Sequence, residues 1–161
     1  MSSFVERITE LEDRLFDRLR SPATLDAASD DPTGDLDSFR GRRYCLLVTY
    51  RRNGTPVPSP VWFALDREHG RLYVHTGGWK VKRIAKDPHV RVAPCTFRGR
   101  PLGPPLDAIA RLLPPTERAH GEAVLATSHT LVQRLYYATL GRSQHALAEI
   151  VEIMPTATST G

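Results

Sequence analysis

Lys80, Lys82 and Arg83 come just after Gly77-Gly78, past Trp79, and precede Asp87-Pro88. A glycine pair leading into a short cationic helix can capture an anion such as phosphate, through first-turn amides and neighbouring side chains. The ordinary alternative for such residues is a solvated charged face. Lys80 and Lys82 are two positions apart and would point about 200° away from each other on a regular helix. They converge only if Lys80 sits in the turn before the helix. In that case Lys80 and Arg83 share a face at i, i+3, and Lys82 serves another surface. In a second basic set, Arg98 and Arg100 flank Gly99 in the run Arg98–Gly103. A plain turn with solvent-facing arginines is its alternative.

These residues need strands to hold them. Tyr44 to Tyr50 is rich in β-formers, Asn53-Gly54 is a hairpin signal, and Val57 to Leu65 reads as the returning strand. Pro56, Pro58 and Pro60 lack backbone donors, which marks an edge, a bulge or an opening in the ladder. Arg71 to Thr76 is a third strand, and Lys80 to Lys86 a short helix stopped by Asp87-Pro88. Val90, Val92 and Ala93 carry a fourth strand, Leu106 to Leu113 a fifth, and Ala148 to Met154 the last. Residues 117–127 and 130–141 read as helical. Upstream, Ser3 and Glu6 fit a capping box, and Phe4, Ile8, Leu11, Leu15 and Leu19 recur at helical spacing. The expected organisation is therefore an amphipathic helix over 1–20, a linker over 21–39, a domain over 40–154 and a flexible tail over 155–161. Many strands with one early and one late helical region fit an α+β barrel.

The 161 residues suit one domain with a real core. Net charge is +4, which favours acidic partners. No run of five basic residues and no interleaving of aromatic with basic residues occurs, so nucleic acid is not expected as a partner. No apolar stretch reaches 18 residues, and the first 20 residues carry acids and arginines. Neither a membrane span nor a secretory signal is expected. Cys45 and Cys95 form no CxxC pair and read as reduced, buried thiols of a cytoplasmic protein. The histidines are scattered without short ligand spacing, so no metal is assigned.

Four motifs in order, GTPVPSPVWFA (54–64), RLYVHTG (71–77), KVKRI (80–84) and VRVAPCTFRGRPLG (90–103), resemble the split β-barrel family that includes pyridoxamine-5′-phosphate oxidase. Within that family they are most similar to the branch that uses the deazaflavin coenzyme F420 in place of FMN. The resemblance spans roughly residues 40 to 153, and residues 1 to 40 find no counterpart in it. It implies a split β-barrel of about six mainly antiparallel strands, Greek-key-like, with flanking helices. It also implies a homodimer with the cofactor at the subunit interface, and an oxidoreductase that passes a hydride from F420 to a small organic substrate. An FMN-dependent oxidase or reductase, or a cofactor-binding module without turnover, are the alternatives. The cofactor-binding residues implied are Ser59, Val61, Trp62, Thr76, Lys80, Lys82, Arg83, Arg98 and Arg100. The two arginines of the loop would meet the acidic tail of F420. Relatives carry a longer turn before the lysine, often with a serine; this chain has the compact TGGWK, in which Trp79 can cover the phosphate site. No catalytic residue is implied.

Overall fold

The computed structural model describes residues 21–128 and 148–156. The helices expected over 3–20 and 130–141, and the last residues of the tail, lie outside the described residues. Six antiparallel strands close a barrel in the order β1-β2-β3-β6-β5-β4. They are β1 (Tyr44–Tyr50), β2 (Pro56–Asp66), β3 (Arg71–Thr76), β4 (His89–Cys95), β5 (Leu106–Leu112) and β6 (Glu149–Pro155). Three α-helical segments flank it among the described residues: α1 (Asp26–Ser29), α2 (Trp79–Lys86) and α3 (Arg118–Ser128). The expected α+β split barrel is therefore the fold. None of the described helices is long and apolar enough to cross a membrane.

Strand alternation sorts the core into an inside and two outer layers. Cys45, Leu47, Phe63, Leu72, Val74, Val92, Val151 and Ile153 pack together inside the barrel, joined by Phe39 and Ile84 from outside the sheet. Leu46, Val48, Ala93 and Cys95 form an outer layer under Ala27 of α1. Ala64, Tyr73 and Ile150 form another, under Leu125 of α3. Residues 21–39, expected as a linker from their Ser/Asp/Pro/Gly content, run along the barrel in short helical turns. Thr24, Ala27 and Phe39 are each 1% exposed. Composition hid this because the few anchoring residues are diluted among polar ones that face solvent.

The three prolines of β2 have a defined place. Pro56, Pro58 and Pro60 stand opposite Tyr50, Val48 and Leu46 of β1. A residue without an N–H cannot occupy a hydrogen-bonded rung, so these are the non-bonded rungs, and Val57, Ser59 and Val61 carry the ladder. On the other side, β2 pairs with β3 only over Phe63–Asp66. Beyond Phe63 and Val74 the two strands part. Of the edge, bulge or opening that the prolines left open, the structure has this split, and the proline edge presents carbonyls to it but no donors.

On the outer face of β6, Glu152 lies opposite both Tyr73 and Arg111. It accepts hydrogen bonds from Arg71 Nη1 (2.8 Å), Tyr73 Oη (3.0 Å) and Arg111 Nη2 (3.1 Å). Burial opposes its ionisation, but these three donors outweigh burial and hold the carboxyl below its ordinary value of 4.5. Burial and Glu152 together push the Tyr73 hydroxyl up to about 12, so it stays protonated and donates. Glu152→Gln is expected to lose roughly 1–3 kcal/mol of stability at neutral pH, since it weakens two charge-assisted bonds. A depressed carboxylate stabilises above its unfolded pKa, and that contribution fades as pH falls through the folded value. The gap in melting temperature between parent and variant should thus be full at neutral pH and narrow below about pH 4. A gap that stays constant on acidification would refute the assignment.

Candidate functional site

Helix α2 begins on Gly78, at φ 65° and ψ −140°. That backbone conformation is essentially restricted to glycine. Gly78 offers no side-chain cap. The first amides of any α-helix lack intrahelical acceptors and carry the positive end of its dipole. Ile84 is buried and pins α2 against the barrel end, with β1 and β5 as neighbours.

The structure places Lys80 inside the first turn of α2, not ahead of it. The convergence of Lys80 with Lys82, which depended on a turn position, is therefore not available. Lys80 and Arg83 stand one turn apart on a common side and are both half-buried. Lys82 is exposed, and its Nζ lies 4.4 Å from the centroid of the Trp79 ring. Arg83 Nε donates to Thr49 Oγ1 at 2.7 Å, which ties the helix to the end of β1.

Three hydroxyls lie at this same end of the barrel. Thr49 is 1% exposed, and Ser59 and Thr76 are each 8% exposed. Alternation puts them on the barrel-facing side with Leu47, Phe63 and Val74. Ser59 and Thr76 flank the split between β2 and β3, and α2 starts three residues after Thr76. Val61 faces inward too, packed against the barrel core. Thr49 is a candidate for this site that the sequence reading missed. Its signal was available, because a threonine sits on the inward phase of an otherwise apolar strand.

Trp62 does not join this set. It points to the opposite face of β2, beside Tyr44 at 6.4 Å between ring centroids. Tyr44 in turn meets Phe97 edge-on at 5.6 Å. Arg98 and Arg100 belong to that other end as well. Their loop is a fixed turn: Thr96 N–H donates to the Arg100 carbonyl at 3.0 Å, Ser21 N–H to the Arg98 carbonyl at 2.9 Å, and Thr24 Oγ1 to the Gly99 carbonyl at 3.1 Å. Both arginines are exposed. Helix α2 precedes β4 and this loop follows it, so the length of β4, about 20 Å, separates the two basic sets. One phosphate cannot engage both within a single chain.

The cysteines are not candidate nucleophiles. Both are free and buried. Burial, and then the neighbouring Cys95, push the Cys45 thiol well up, and burial pushes Cys95 up to about 12. Neither supplies a thiolate near neutral pH.

No protein-family model and no curated protein matches this chain. Solved structures do share its fold. The haem storage protein HutZ from Vibrio cholerae is 16% identical, with a TM-score of 0.55 over 76% of this chain and 87% of its own. A Listeria innocua protein assigned as a pyridoxamine 5′-phosphate oxidase is 15% identical, with a TM-score of 0.52 over 76% and 90%. An F420 reductase is 23% identical, with a TM-score of 0.50 over 79% and 97%. At these identities the shared property is the split-barrel fold.

Proposed function

We propose that the protein binds the deazaflavin coenzyme F420 at the split between β2 and β3 and uses it to reduce a small organic substrate. The observation that carries this reading is the placing of α2. A glycine-started helix N-terminus, with Lys80 and Arg83 on one side, stands at a gap flanked by two nearly buried hydroxyls, Ser59 and Thr76. These groups fit a cofactor phosphate, which needs several donors and a positive field. Bound there, the deazaflavin ring would supply the hydride chemistry, and the protein would supply position and electrostatics. Lys80 and Arg83 hold the phosphate, with Arg83 kept in place by Thr49. Ser59, Val61 and Thr76 line the ring side of the split. Arg98 and Arg100, about 20 Å from α2, serve the acidic tail. Lys82 and Trp62 stand outside this arrangement.

The site is built in a homodimer. Two open depressions among the described residues, of about 250 and 440 Å³, are lined by none of these residues.

FMN carries a phosphate too, so the phosphate groups fit either cofactor, and the acidic tail favours F420. Apo-protein titrated side by side with F420 and FMN should bind F420 more tightly. The same samples should scatter light as twice the 18.0 kDa chain mass. Tight FMN binding with no measurable F420 binding overturns the cofactor reading, and a monomer mass leaves the cleft half-built. A second reading, binding without turnover, draws support from HutZ, a storage protein on the same fold. It predicts tight cofactor binding but no oxidation of the reduced cofactor in the presence of any acceptor.

A further inference from the structure

A second group of chemically competent side chains lies at the other end of β3, where β2 turns into it. Asp66 closes β2, His69 follows in the turn, and His120 arrives from the first turn of α3. Asp66 Oδ2 stands 2.9 Å from His69 Nδ1 and 2.8 Å from His120 Nε2. All three ligand atoms fall within 4.8 Å of one another. Asp66 is held in place: its side chain is 7% exposed, and its Oδ1 accepts the His69 backbone N–H at 3.2 Å. The imidazoles stand edge to face, 5.2 Å between centroids, and Tyr73 supports His120 from beside it at 5.8 Å.

We propose that Asp66, His69 and His120 bind a divalent transition-metal ion of the zinc class. Two imidazole nitrogens and one carboxylate oxygen converging on a point are the donor set for such an ion. At metal–ligand distances of about 2.1 Å, tetrahedral ligands lie ~3.4 Å apart, so the two Asp66–histidine contacts need open by ~0.5 Å, and the two imidazole nitrogens, within 4.8 Å of each other, need close by at most ~1.4 Å. Arg71, which stands opposite Asp66 on β3, is already neutralised by Glu152 at 2.8 Å. The histidine side chains are 49% and 53% exposed, which leaves a position on the metal open to water. The site stands at the opposite end of β3 from α2, roughly 17 Å along the strand, and does not depend on the cofactor reading. A bound ion would also staple the β2–β3 turn to α3.

The test uses the full, tag-free chain after treatment with a chelator. Zinc is titrated against a chromophoric competitor, and Co²⁺ serves as the spectroscopic probe. The parent should take up one equivalent of zinc and give visible d–d bands with Co²⁺. His69→Ala and His120→Ala each remove a direct ligand from an exposed position. Each should weaken zinc binding by more than the ~10- to 100-fold typical of losing an outer-shell partner, abolish the Co²⁺ bands, and keep the parent's circular dichroism. Mg²⁺ should not compete, since it takes oxygen ligands. The proposal is overturned if the parent takes up no stoichiometric zinc, in which case the cluster is a hydrogen-bonded clamp. It is overturned equally if both variants bind zinc as tightly as the parent.

Discussion

Replacing Phe39 by alanine is expected to remove about 3–5 kcal/mol of stability, a large share of the ~5–15 kcal/mol that holds a domain together. Phe39 comes from a 3₁₀ turn, Leu36–Phe39, in a stretch whose composition reads as linker. Yet it is 1% exposed and meets Phe63 edge-on at 5.6 Å and 84°. It belongs to the same cluster as the inward side chains of all six strands. Truncation would leave a cavity where the surrounding strands, held by their ladders, cannot collapse. Urea unfolding should show a lower midpoint with an unchanged slope, since the surface exposed on unfolding is nearly the same. A loss below about 1 kcal/mol would mean that residues 36–39 are not docked as described, because that is far less than a buried phenyl group contributes.

The second large effect concerns cofactor capture and separates three basic residues that look alike in sequence. Lys80→Ala and Arg83→Ala should each weaken F420 binding by roughly 10- to 100-fold, the loss of one charge-assisted contact worth about 1.5–3 kcal/mol. Lys82→Ala should bind nearly as the parent does, because Lys82 lies over the Trp79 ring, away from the Lys80–Arg83 side. Thr49→Val gives an intermediate case: it keeps the charge of Arg83 and removes the 2.7 Å hydrogen bond that orients it. The measurement is cofactor affinity at two salt concentrations, since an ionic contact weakens as screening rises. Equal affinity in all four variants would place the phosphate elsewhere and leave α2 as a solvated face.

The strands were legible because their signals are local. Asn53-Gly54 set the first hairpin, with Gly54 at φ 83°, and Asp87-Pro88 stopped α2 where expected. The period of two makes the opposite facing of Ser59 and Trp62 implicit in their spacing, since residues three positions apart on one strand lie on opposite faces. The prolines of β2 marked an edge, a bulge or an opening, and the stretch of β2 that carries them is unpaired on the β3 side. A residue without an N–H constrains hydrogen bonding wherever the chain goes, so that signal needs no tertiary information.

Other features needed the third dimension. The docking of residues 21–39 rests on a few anchors such as Ala27 and Phe39, and a short polar segment gives no periodicity to reveal them. The separation of Arg98 and Arg100 from Lys80 and Arg83 follows from the direction of β4, which carries neighbours in sequence to opposite ends of the barrel. The meeting of Asp66 and His69 with His120 is the clearest case. Asp66 and His120 are 54 residues apart, and nothing in their local sequence pairs them. Only the packing of α3 over β2 and β3 closes that distance, because contacts between elements are set by which apolar faces bury each other, and chain spacing does not record that choice.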